Sequence, residues 1–239
     1  MLTHILKNCV LTAWVGFFIW LITYGQSSLA HLLHPQLWWL VACGAVILLL
    51  FLAVNLTRQP AALSAAPGSL RWQWPSLVIL LVPLLYWLPM YEARLNADTF
   101  LQRSLRTGDG LLIPGFIEKS ANGEAWEFET SGEVSLTGLY RNSDQYLNEE
   151  VEVVCRLLHD SQLPEDFLVC YRFRITCCAA DALPVFVFLD PTEDTGLADD
   201  NWVRARGRLT LYTRHGFTIP LIIDATLTTT SEPAFPYLF

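Results

Sequence analysis

The chain has 239 residues, 53% of them hydrophobic, and a formal net charge of −8. Residues 1–91 hold Lys7, Arg58 and Arg71 but no Asp or Glu, so all 23 carboxylates fall in the remainder. An acidic C-terminal part excludes the basic footprint that nucleic acid requires, and the acid-free N-terminal part has membrane composition.

Residues 1–91 are expected to form an anchor of three transmembrane helices, at about 9–26, 37–56 and 74–91. Each run approaches the roughly 20 apolar residues that cross a hydrocarbon core. Trp38, Trp39, Trp72, Trp74, Tyr86, Trp87 and Tyr91 cluster near the run ends, as interface aromatics do. The first run also passes for a cleavable signal peptide, but the two further spans favour an anchor.

Lys7 lies in the head and Arg58 and Arg71 in the loop at 57–73, while the loop at 25–36 has no Lys or Arg. The positive-inside rule then puts the amino terminus in the cytoplasm and the C-terminal domain outside it. His31 and His34 would share a face, and could share a metal, if the first helix ran on past Gly25. As interfacial helix caps beside Pro35 they need no ligand. Small residues Gly16, Ala42, Gly44 and Ala45 allow close helix approach, within the chain or against a partner subunit.

Residues 92–148 read as a linker and irregular segment, with a short helix near Leu101 and Leu105 and a turn at Gly108-Asp109-Gly110. Residues 149–239 read as an all-β domain. Val151, Val153, Cys155 and Leu157 alternate with polar neighbours, as do Val169, Tyr171, Phe173 and Ile175. Pro184–Leu189 is continuously apolar, and Val203–Leu211 and Phe217–Thr230 supply further strands. Five or six short strands suggest a small barrel or sandwich. Gly207 in mid-strand suits the sharp coil of an OB-like barrel.

Folding 151–158 and 167–176 into a hairpin about the loop HDSQLPED sets Cys155 opposite Cys170, within disulfide reach. Cys177 and Cys178 are adjacent, with Asp181 three residues on. In an extended strand, one thiol would be buried and the other presented. Three readings compete: simple packing, a strained redox-active disulfide, and a soft-metal site of Cys177, Cys178 and Asp181. His159, a weaker candidate ligand, and His215 are the histidines of this domain, and the sequence places neither beside the pair. No Ser-His-Asp set, phosphate loop or CxxC spacing accompanies them, so no catalytic residue is assigned. Arg172, Arg174, Arg204, Arg206 and Arg208 recur at period two. They make one anion-binding stripe if their strands are neighbours and the nearby carboxylates leave them free.

Three motifs carry a resemblance: RFRITCCAADA at Arg172–Ala182, WVRARG at Trp202–Gly207 and EPAFPY at Glu232–Tyr237. With the helical anchor ahead of them, the chain resembles the YcgQ-like family of bacterial membrane proteins. The resemblance implies a non-enzymatic subunit of a two-component permease in the bacterial inner membrane, paired with a larger YcgR-type membrane protein. It brings no assigned substrate and no catalytic residues, and it adds weight to a metal or redox role for Cys177, Cys178 and Asp181. The expected solute is a transition metal such as zinc. The alternatives are a membrane-anchored thiol or redox protein and a purely structural anchor.

Overall fold

The computed structural model describes residues 2–57, 78–87, 94–106, 112–113, 134–161, 163, 167–193, 196–214 and 216–239. These fall into two units, Met1–Arg94 and Leu95–Phe239. The loop holding Arg58 and Arg71, the turn at 108–110, His215 and both ends of the third expected span lie outside the described residues.

In the first unit, helix α1 (Leu2–Thr23) begins ahead of its apolar run. Lys7 and Asn8 are tolerated in a helix, so the backbone continues back through them to Leu2. The helix stops at Gly25, where the amides of Tyr24 and Gly25 both reach the Trp20 carbonyl. A separate short helix α2 (Gln26–Ala30) follows, then a 3₁₀ turn at Pro35–Leu37 and α3 (Trp38–Thr57). His31 caps the end of α2, and His34 starts the 3₁₀ turn, its Nδ1 accepting the Gln36 amide at 3.1 Å. The two histidines therefore terminate different elements and do not share a helix face. Pro35 sits at a helix start, where its missing N–H is no loss.

Two segments, Ile5–Thr23 and Pro35–Thr57, are long and apolar enough to cross a bilayer. The α3 helix is apolar all round, with Val46, Ile47, Leu50 and Phe51 exposed, which suits hydrocarbon rather than water. Of the third expected span, the described part is α4 (Val78–Trp87), a ten-residue helix. It joins α1 through the Trp14 indole N–H, which donates to the Leu80 carbonyl at 2.9 Å. The Phe17 and Trp87 rings meet edge to face at 5.3 Å. At Gly44 a Cβ would lie 3.0 Å from the Phe18 ring, so the missing side chain admits α1 there.

The second unit is a closed five-stranded barrel: β3 (Glu150–His159), β4 (Leu168–Arg174), β5 (Leu183–Pro191), β6 (Trp202–Arg214) and β7 (Phe217–Thr229). Around the barrel the order is β3-β4-β5-β7-β6, and β6 closes back onto β3. All pairs are antiparallel except β5 with β7. Alternation explains the interior, which takes Val151, Val153, Cys155, Leu157, Val187, Val203, Ala205 and Leu209.

Strands β4 and β5 are buried on both faces, which is why the run at 184–189 has no polar break. Their outer side chains, Val169, Tyr171, Phe173, Phe186 and Phe188, form a second apolar layer. Residues read from sequence as linker supply its cover. Helix α5 (Ala97–Arg103), capped by the Asn96 side chain on the Thr99 amide, presses Phe100 against Tyr171 at 4.6 Å between centroids. Two-residue strands β1 (Leu105–Arg106) and β2 (Leu112–Ile113) pair just beyond it.

Helix α6 (Leu136–Arg141), capped by Ser135, inserts Leu136 and Leu139 into the interior layer, and the short helix α7 (Ser143–Tyr146) leads into β3. Within α6 the half-buried Tyr140 donates its hydroxyl to the Phe186 carbonyl.

The last residues complete the unit. Leu238 exchanges backbone hydrogen bonds with β4, its amide to the Phe173 carbonyl at 2.8 Å and its carbonyl from the Ile175 amide at 3.0 Å. Leu238 then points into the interior layer while Tyr237 and Phe239 join the outer one. The Arg172 guanidinium clasps this strap, donating to the carbonyls of Phe235, Pro236 and Tyr237.

Candidate functional site

Strand β4 ends at Arg174, and the chain bends at Thr176 and Cys177 instead of continuing the strand. A carboxylate makes the bend. Asp181 sits in a 3₁₀ turn (Ala179–Asp181) and reaches back, Oδ1 accepting the Thr176 amide at 3.1 Å and Oδ2 the Cys177 amide at 2.7 Å. From α5, Arg103 fastens the other side of the loop by donating to the carbonyls of Ala179 at 3.1 Å and Ala182 at 2.9 Å.

The bend overturns the expected one-in, one-out arrangement of the thiols. Both sulfurs emerge together, Cys177 exposed and Cys178 half-buried, with Sγ atoms 3.6 Å apart. The Asp181 carboxylate hydrogen-bonds the Cys177 thiol and, with Cys178 beside it, pushes that thiol up to about 11. Desolvation works against the Asp181 charge, but the Cys177 thiol and the backbone amides of Cys177, Thr176 and Cys178 outweigh it and hold its pKa below the ordinary value. Since only the thiolate attacks, Cys177 is held quiet at neutral pH.

Alkylation of Cys177 should therefore rise with pH up to about 11. Replacing Asp181 with Asn removes the charge that opposes ionisation. Iodoacetamide labelling of Cys177 at pH 8 should then speed up roughly tenfold or more, measured by mass spectrometry.

Of the other candidate ligands in this unit, His159 is engaged by Asp199, whose Oδ1 meets both the ring Nδ1 and the backbone amide at 2.7 Å. Among the described residues, no three His, Cys, Asp or Glu side chains are grouped to hold a metal.

Cys155 and Cys170 form a disulfide with Cα atoms 5.5 Å apart. Their register differs from the expected one. Cys170 lies opposite Leu157, so the bridge runs diagonally and not straight across. The β3–β4 ladder closes at His159 and Leu168, because Leu163 and Phe167 leave the hairpin loop to pack in the outer apolar layer.

The arginines do not make one stripe, because β3 separates β4 from β6. Arg206 forks onto Glu150, Arg204 binds Glu152, and Arg208 binds Asp224 at 3.0 Å. The hydrogen bond and charge of Arg206 hold the Glu150 carboxyl below its usual range. An open groove of about 670 Å³ lies over this wall, lined by these three arginines and their three carboxylate partners, so its charges balance.

One polar cluster escaped the sequence. The buried Tyr171 hydroxyl donates to Asp200, whose Oδ1 also accepts the Ala97 amide at 2.9 Å. Burial raises the Tyr171 phenol far above its ordinary value, and Asp200 adds to the effect. Arg156 reaches the Leu95 carbonyl, Asp200 and Glu232, and both Arg156 and Arg172 lie over the Trp202 ring at 5.2 and 5.7 Å. Trp202 and Glu232 were visible as motif residues. Their convergence with Arg172 explains the motifs structurally, as the seat of the C-terminal strap.

Residues 133–239 match the family model of the DUF1980 C-terminal domain, which spans the α6 region, the barrel and the strap. No curated protein and no solved structure matches the chain.

Proposed function

We propose that this chain is a non-enzymatic subunit of a two-component permease in the bacterial inner membrane. Its barrel would be OB-like and would stand on the extracytoplasmic side. The observation that carries this reading is the pairing of two bilayer-length apolar helices with a separate barrel that offers two free thiols at its surface. A larger YcgR-type membrane protein is the proposed partner, with Gly16, Ala42 and the exposed apolar face of α3 available for helix packing.

Barrel order supports the OB-like assignment. Its first, second and third strands are followed around the barrel by the fifth and then the fourth, with third and fifth parallel. An OB barrel takes extended ligands across its second and third strands. Here Phe100, Tyr237 and Phe239 pack in the apolar layer over those strands, so solute handling is assigned to the Cys177–Cys178 turn instead. The disulfide supports an extracytoplasmic side, where such bonds persist, and agrees with the Lys and Arg distribution.

Full-length protein extracted in mild detergent should co-purify with a larger multi-pass membrane protein. A lone, monodisperse chain would count against the subunit reading. The rival thiol-redox reading draws on the 3.6 Å sulfur separation. The raised Cys177 thiol opposes it, because exchange begins with a thiolate.

A further inference from the structure

A tied-down pair of neighbouring thiols is a chelate in waiting. Asp181 and Arg103 hold the turn from opposite sides, so the ordering cost falls on folding rather than on binding. An atom bonded to both sulfurs at about 2.3 Å, the thiolate–zinc bond length, and bridging their 3.6 Å separation makes an S–atom–S angle of roughly 100°. A linear two-coordinate ion with such bonds needs sulfurs about 4.6 Å apart, so that class does not fit.

Tetrahedral and pyramidal centres both accept an angle near 100°, and the donor count separates them. A structural zinc takes four protein ligands. Among the described residues no group of three His, Cys, Asp or Glu forms, and both Asp181 oxygens already accept backbone amides. A pyramidal trivalent centre needs only two sulfurs, because it brings its own third substituent.

We propose that Cys177 and Cys178 chelate a thiophilic trivalent centre of the arsenic(III) type. The site is the one assigned to solute handling above, and its physiological meaning rests on that reading. With an organoarsenic oxide, two As–S bonds form and the As–O linkages break. Both thiol protons leave with the oxygen as water, and arsenic stays trivalent. The exchange consumes no oxidant, and each thiol gives up its proton as its As–S bond forms.

The test uses full-length protein in detergent with phenylarsine oxide, followed by a wash in excess monothiol and intact mass spectrometry. One phenylarsenic group per chain should survive the wash, in the native sequence and equally in Cys9→Ser/Cys43→Ser, which removes the two other free cysteines, Cys9 in α1 and Cys43 in α3. Retention should fall about a hundredfold in Cys177→Ser and in Cys178→Ser, since each leaves a single sulfur. A dithiol should strip the adduct from the native protein. An intact Cys155–Cys170 bond and an unchanged melting temperature would show that the variants still fold.

Three results would overturn the proposal: retention in either single variant, release from the native protein by monothiol alone, or a Cys177–Cys178 disulfide that blocks capture as isolated. Stoichiometric zinc on the pair without arsenical capture would equally replace it with a metal site. Partner co-purification is scored on the same samples. Lost capture with the partner retained leaves the subunit reading standing, and capture without a partner leaves the chelate standing.

Discussion

Gly207→Ala should cost the barrel about 3 kcal/mol or more, the upper end of what overpacking usually exacts. A Cβ at this position would lie 2.5 Å from the Ile223 carbonyl oxygen, 2.8 Å from Ile222 Cγ2 and 3.2 Å from the Ala225 Cα. Two of those three atoms are backbone, so no rotamer change can relieve the contact. The register of β6 on β7 shifts between Arg206 and Arg208, and Asp224 opposite adopts a positive φ of 54°. The bulge brings the two backbones together here, and only glycine fits. Urea unfolding of the full-length protein should show a lower midpoint with little change in slope. A variant that unfolds like the native protein would mean that the bulge relaxes elsewhere.

Removing the disulfide should be nearly as damaging. Cys155 and Cys170 are 15 residues apart, and a cross-link closing such a loop contributes about 3 kcal/mol by restricting the unfolded chain. Both residues are fully buried between β3 and β4, so Cys155→Ala/Cys170→Ala also strips atoms from the interior layer. The free energy of unfolding should drop by that amount or slightly more. In the native protein the bond should resist reductant until the barrel opens. Free-thiol titration before and after unfolding with reductant measures this: Cys9, Cys43, Cys177 and Cys178 are free, so more than four accessible thiols in the folded state would contradict it.

Features set by local chemistry were legible in the sequence. Bilayer-length apolar runs announced themselves because crossing hydrocarbon is a matter of length and composition. Alternation in β3 and β6 exposed their inward faces, and Gly207 marked a sharp coil. Pairings set over long range were not legible. The β3–β4 hairpin has no tight two-residue turn to pin its register, so burial of Phe167 in the outer layer decided it by two residues.

The segment before residue 149 looked largely like a linker because α6 is too short to show much periodicity, although a short helix was expected near Leu101, where α5 lies. Their work is done by single residues, Phe100 and Leu139, that dock far along the chain. The Cys177–Cys178 turn was found, but not its shape. Asp181 entered one of the three readings, as a metal ligand; the sequence did not show that its carboxylate accepts the Thr176 and Cys177 amides and so bends the chain. Period-two arginines looked like a stripe only because strand order is invisible in a one-dimensional pattern.

The position of β7 between β5 and β6 dictates an order of assembly. Strand β5 cannot close against β6, its successor in the chain, because the last strand must lie between them. The β6–β7 hairpin, two 13-residue strands joined by a short turn, is the piece with local contacts and can form first. Its parallel docking on β5 and the closure of β6 on β3 bridge long stretches of chain and must follow. The rate at which this domain matures is therefore set by ring closure, and until β7 arrives the edge of β5 stands open to any other extended chain nearby.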